Sequence, residues 1–200
     1  MNRLRIFYDS EFTGLNQRTT LISIGLVTVD GNSFYAEFTD FDCEQVDDFI
    51  RDEVLANTRW LRKSPAVPSR LASLIPKSLI SEQETVCLGN KGYIRKQLLS
   101  WLLPLGDVEI WADHVSYDWV LFCELFGGAL SLPDHVHWIP RDLCTFLECH
   151  GHDPDVNRCE FAGDLADVAS SQPHNALYDA HVAMACYRRV ILDSASDSMQ

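Results

Sequence analysis

Asp9 and Glu11 stand two residues apart at the end of an apolar run, "RIFYDSEF". On a strand, residues i and i+2 point to the same face, which would set these carboxylates side by side. Like charges so placed repel, and burying them is costly unless a cation lies between them. Either the strand has ended and both acids are solvated, or the pair serves a divalent ion. Asp118, in "DHVSYDWVLF", sits in the first turn of a helix, where the dipole favours a carboxylate. His174 and Asp179, in "PHNALYDAH", open the last helix. Five residues of regular helix would turn them about 140° apart. They share a site only if His174 lies on the helix entry, for which Pro173 and Asn175 are suitable.

Taken singly, these are helix-start acids and a surface histidine. Taken together they fit one reaction. Phosphodiester hydrolysis by two metal ions, roughly 3.5–4 Å apart, needs several carboxylates to neutralise and position the pair. It also needs a base of near-neutral pKa to take the proton from the attacking water, and histidine suits that task. D-x-E on a strand end, an Asp opening a later helix and H-x-x-x-x-D opening the last supply that set.

The elements that must position these residues follow from the patterning. "LRIFYD" (4–9) reads as a first strand; "LISIGLVTV" (21–29) and "SFYAEF" (33–38) flank a "DGN" turn and should form a hairpin, the one antiparallel pair among the three. Residues 44–57 read as helical, and 93–103 as a helix with Ile94, Leu98, Trp101 and Leu102 on one stripe. Then come a strand at 108–112, a helix at 117–127 closed by Gly127 and Gly128, and a strand at 135–139. Helices at 141–151 and about 175–192 complete the order. This is an α/β plan, a mixed sheet flanked by helices. Sites in such sheets gather at the C-terminal strand ends, where Asp9, Glu11 and the residues after "VEIWA" lie. Residues 1–193 are read as a single domain and 194–200 as a polar, frayed tail.

An apolar content of 46% and a charged content of 22% describe a soluble globular chain. A net charge of −13 argues against a sequence-blind electrostatic grip on nucleic acid or an anionic membrane, though bound cations would reverse the local field at an acidic site. Seven cysteines without a CxxC pair suit free thiols, and no leader or membrane-length apolar run is visible; the expected location is cytoplasmic. One segment departs from its surroundings. Residues 54–81 carry five basic residues, no acid and three prolines, which is either an irregular solvated connection or a surface facing a phosphate backbone.

On these residues the sequence resembles the DEDDh superfamily of 3′–5′ exonucleases, which is built on a ribonuclease H-like fold. "DSEFTGL" is similar to its first motif, D-x-E-x-T-G-L; "DHVSYD" stands at the second, and "HNALYD" at the third, H-x-x-x-x-D. The similarity covers about residues 5–190 and is strongest to the small exoribonucleases, the ribonuclease T, oligoribonuclease and mycobacterial exoribonuclease-like group. It implies Asp9, Glu11, Asp118 and Asp179 as ligands of two Mg²⁺ or Mn²⁺ ions, with Asp9 bridging, and His174 as general base. It implies contacts from Phe12, Thr13 and Leu15 to the terminal nucleotide of a nucleic acid with a free 3′ end, RNA before DNA. Many members carry an Asn four or five residues before the second-motif Asp; here His114 and Asp113 occupy those positions, and His114 is the candidate substrate contact. Asp142, in a D-T-L-like segment, reads as structural. Dimers are frequent in the group, so a homodimer is expected.

Three other readings compete. A zinc site could draw on His135, His137, Cys144, Cys149, His150, His152 and Cys159, although no usual paired spacing appears. A catalytically silent binding or assembly module could keep the fold, but ligands and base are all present. A proofreading-type DNA exonuclease would share the chemistry, and no residue can be assigned to sensing the 2′-OH.

Overall fold

The architecture is that of a computed structural model, which describes residues 3–63, 68–71, 73–166 and 172–197. Its centre is a seven-stranded sheet: β1 (Leu4–Phe12), β2 (Leu21–Thr28), β3 (Ser33–Phe38), β4 (Lys77–Ile80), β5 (Glu84–Gly89), β6 (Val108–Ala112) and β7 (Arg141–Asp142). The spatial order is β4-β5-β3-β2-β1-β6-β7. The helices are α1 (Pro68–Leu71), α2 (Lys91–Leu102), α3 (Val115–Phe126), α4 (Leu143–Cys149), α5 (Arg158–Ala162) and α6 (Ala176–Asp197).

Alternation along β1 builds two cores. Ile6 and Tyr8 face a layer that includes Leu98 and Leu102 of α2 and Phe122 and Leu125 of α3. Phe7 faces the other way, onto Leu143 and Leu147 of α4, Ala162 of α5 and the apolar stripe of α6. The sheet is therefore covered on both sides, and β1, flanked by β2 and β6, lies inside it. Asp9 and Glu11 share the parity of Phe7 and look toward α6; Ser10 shares the parity of Tyr8 and looks toward α3.

Several elements differ from the reading of the sequence. β2 is antiparallel to both β1 and β3, so the first three strands form a meander with two antiparallel pairs. β4 and β5 were not anticipated; β5 pairs parallel with β3 and β4 closes that edge antiparallel to β5. Segment 135–139 is no strand: Val136 makes a single bridge to Val108, between Pro133 and Pro140, and the two-residue β7 takes the sheet position instead. Residues 44–57 form a broken series of 3₁₀ and π turns rather than one helix. α6 continues through Asp197, past the helix end expected at about 192, with the Ser194 hydroxyl donating to the Val190 carbonyl. Residues 198–200 of the expected tail lie outside the described residues. The helix stripe Ile94, Leu98, Trp101 and Leu102 is buried as its period requires. Among the described residues no helix is long and apolar enough to cross a membrane, and all seven cysteines are free.

Candidate active site

Asp9 pairs in register with Gly25 on β2. A Cβ built on Gly25 would lie 2.3 Å from the Leu177 backbone nitrogen and 2.4 Å from the Ala176 carbonyl carbon and oxygen. The bare glycine thus lets the N-terminus of α6 rest directly on the sheet beside Asp9, and the first turn of that helix carries Asp179. The entry is built tightly. The Asn175 side chain accepts from the Tyr178 N–H at 3.2 Å and its carbonyl accepts from Asp179 N–H at 3.0 Å. His174, one residue earlier, has φ 61°, which takes it off the helix so that it can share a cleft with Asp179.

α3 arrives from the opposite face. His114, φ 51°, reverses the chain after β6, and α3 begins at the next residue. Asp142 clamps this corner by accepting from Val115 N–H at 3.2 Å while capping α4 through Thr145, the structural part expected of it. Asp118 is buried, and its Oδ1 accepts from Ser10 Oγ at 2.6 Å. His114 and His174 are the two non-glycine residues with positive φ among the described residues. Both line one cavity of about 340 Å³, together with Asp9, Glu11, Asp118 and Asp179. Backbone strain of this kind concentrates at working sites.

Ligand oxygens of Asp9, Glu11 and Asp179 lie within 4.8 Å of one another. Asp118 lines the same cavity but stands outside that closest trio, turned toward Ser10. Crowding shows in the acidities. Burial, then the charges of Asp118, Glu11 and Asp179, hold Asp9 well above the usual carboxylate range. Burial and the charges of Asp179 and Asp118 push Glu11 up to about 8. Asp179 rises to about 7 and Asp118 to about 6, chiefly through burial, with hydrogen bonds from the His174 and Asn175 backbone and from Ser10 opposing the rise. A hard divalent cation with oxygen ligands is the group such a donor set fits, since it would offset the repulsion that the fold imposes.

Of the residues expected to touch substrate, Phe12 lines the cavity and stacks on Tyr117, centroids 5.7 Å apart. Thr13 does not; it is buried and its hydroxyl closes the following loop, accepting from Thr20 N–H at 2.9 Å and meeting Gln45 at 3.3 Å. Leu15 is 77% exposed and outside the lining. His114 is on the lining. The residues weighed for zinc do not gather among the described residues: Cys144 meets Asp113 and His114, whereas the His150 ring contacts the Phe146 carbonyl. Arg158 already supplies the cation to the Cys144 group, with Nε 2.8 Å from Asp113 Oδ2 and Nη2 3.0 Å from Oδ1 and 3.1 Å from the thiol. Asn57, Phe49 and Arg158 belong to no motif and Ser10 fills the unspecified position of the first; Gly25 alone left a trace, as a glycine interrupting the strand "LISIGLVTV".

A mixed sheet covered on both faces, with acids from its central strand and from helices on either side, defines the DEDD class of 3′–5′ exonucleases on a ribonuclease H-like fold. Yeast Pop2p of S. pombe, solved with Mg²⁺ and Mn²⁺ bound, shares that fold: TM-score 0.55, 15% identity, 96% of this chain and 82% of that one. The chain belongs to the Rv2179c-like 3′-5′ exoribonuclease domain family, whose description matches residues 4–191. It is 31% identical over 150 residues to the 3′-5′ exoribonuclease Rv2179c of Mycobacterium tuberculosis H37Rv, covering 74% of this chain and 76% of the relative. The counterpart in strain CDC 1551 matches equally. The protein is therefore a 3′–5′ exonuclease, and the silent-module reading falls away.

Proposed function

We propose that the cleft removes nucleotides from the 3′ end of RNA, with His174 as general base and with Mg²⁺ or Mn²⁺ held by Asp9, Glu11, Asp118 and Asp179. The observation that carries this reading is the enforced meeting of carboxylates beside a histidine held off its helix. When bound, the ions supply charge neutralisation at the phosphate and lower the pKa of the attacking water. His174, on its left-handed entry, accepts a proton from that water as its oxygen bonds to phosphorus. The bond from phosphorus to the upstream O3′ breaks, that oxygen takes a proton from solvent to become a hydroxyl, and the terminal unit departs as a nucleoside 5′-monophosphate. Phe12, stacked on Tyr117, gives the terminal base an aromatic wall. RNA is favoured over DNA by the family description, and free thiols agree with a cytoplasmic setting.

The test is a time course on matched RNA and DNA oligonucleotides bearing 5′ or 3′ labels, with Mn²⁺ and with EDTA. Stepwise shortening of the 5′-labelled RNA, immediate release of a mononucleotide from the 3′ label, and silence in EDTA are expected. Internal cuts, or equal rates with and without EDTA, would refute the reading.

A further inference from the structure

The basic segment, left open by its sequence, is fastened to the histidine loop. Asn57 Nδ2 donates to the Pro173 carbonyl at 2.9 Å, and Asn175 Nδ2 donates to the Asn57 carbonyl at 2.8 Å. These two bonds bracket His174 in sequence. A third contact comes from just upstream of the segment: the Phe49 ring meets the His174 ring edge-on, centroids 5.2 Å apart. The next residues are fixed by a buried acid. The Glu37 carboxylate accepts from the N–H groups of Arg59, Trp60 and Leu61 and from the Tyr35 hydroxyl. A turn whose backbone is held at both ends presents its side chains in a set direction.

Those side chains are cationic. Arg59, Arg62 and Lys63 are exposed, as is Lys77 on the edge strand β4. Lys77 Nζ lies 4.6 Å from the Trp60 ring centroid and the Arg59 guanidinium 5.9 Å, so one indole orders two cations. Arg59 makes a single 3.7 Å ion pair with Glu84; Arg62 and Lys63 make none among the described residues. In a chain of net charge −13, an ordered basic surface stapled to the loop bearing the histidine has a specific electrostatic partner.

We propose that Arg59, Arg62, Lys63 and Lys77 form the track for the phosphates of single-stranded RNA upstream of the scissile bond. The proposal rests on the exoribonuclease reading and gives it a length dependence. Six residues separate Asn57 from Lys63 and reach at most about 20 Å. The 3₁₀ turn Leu61–Lys63 shortens that span, which a 12-mer of RNA exceeds. A dinucleotide ends short of the track; a 12-mer lies along it.

The experiment compares wild type with the double variant Arg62→Gln, Lys63→Gln on an RNA dinucleotide and on an unstructured 12-mer, over a range of salt. Loss of kcat/KM on the 12-mer should exceed loss on the dinucleotide by about two- to thirty-fold, the range for two exposed charge contacts. The log–log salt slope for the 12-mer should become shallower by about 1.4, at roughly 0.7 per contact for a single strand. An equal loss on both lengths, or an unchanged slope, overturns the track alone. A wild type that shortens neither RNA overturns the exoribonuclease reading and the track with it.

Discussion

Replacing Asp9 with Asn should make the protein more stable and inactive at once, provided divalent metal is absent. Asp9 shares a space of 4.8 Å with Glu11 and Asp179. At an effective permittivity of about 20, one fully ionised pair at that distance repels by about 3 kcal/mol. Two corrections lower the figure. The cleft is open, with Asp9, Glu11 and Asp179 partly exposed, and the raised pKa values of Asp9 and Glu11 keep the pair from being fully ionised at neutral pH. A gain of about 1–2 kcal/mol remains, or about 2–8 °C in Tm for a chain of this size. The sign of the pH dependence follows from the direction of the shifts. Each acid binds its proton more tightly folded than unfolded, so the stability these groups contribute to the apo protein is full below about pH 4 and is lost as pH rises toward 8.

The assay is thermal melting of both proteins in EDTA at pH 5 and pH 8, repeated with Mn²⁺. The Asn variant should lead at pH 8 and lose most of that lead at pH 5. Mn²⁺ should raise the wild type and leave the variant nearly unmoved. A variant no more stable than wild type at pH 8, or a lead unchanged at pH 5, would refute the claim that these carboxylates store repulsion.

Three further substitutions probe the frame around the site. His174→Asn, which tolerates the left-handed backbone, should lower kcat by about 10²–10⁴-fold with little change in Tm; an unchanged kcat would remove His174 from the chemistry. Gly25→Ala sets a methyl 2.3 Å from the Leu177 nitrogen, so α6 must shift. About 1–3 kcal/mol of stability and roughly 10²-fold of activity should go, and wild-type values for both would show that the close approach is not needed. Arg158→Leu takes the guanidinium from Asp113 and leaves it only the Cys144 thiol and the His114 ring beside the acid cluster; melting should show a loss of about 2 kcal/mol, and titration calorimetry an altered Mn²⁺ affinity.

What the sequence disclosed was whatever depends on neighbours in the chain. The parity of Phe7, Asp9 and Glu11, the stripe on α2 and the glycine stop of α3 are local, and they fall where their periods put them. β4 escaped because an edge strand following a proline-broken segment carries no alternation to read, with Lys77, Leu79 and Ile80 all exposed, and β5 because a short run buried on both faces does not alternate either. "HVHWI" misled because its β-rich composition was offset by prolines on either side. At the site the acids and the histidine were legible through their spacing. Ser10 against Asp118 and Asn57 against Asn175 were not, because each is a contact across more than a hundred residues. Thr13 shows the converse: a motif position whose side chain serves the loop rather than the cleft.

The geometry of the site reduces to one device used twice, once on each face of the sheet. A histidine with positive φ ends an approach, a helix starts at the next residue or two, and the first turn of that helix carries an acid toward β1. On the α3 face, Ser10 receives Asp118; on the α6 face, Gly25 clears room for the backbone that bears Asp179. Each left-handed histidine costs about 1–2 kcal/mol, and the gathered carboxylates add their repulsion. Neither cost is met locally. Both are held by the packed layers, Phe122 of α3 against Tyr8 on one face and Tyr187 of α6 against Phe7 on the other. The strain is therefore a property of the whole sheet, and a bound cation would release it at one point, which is why metal affinity and apo stability should respond in opposite directions to the loss of Asp9.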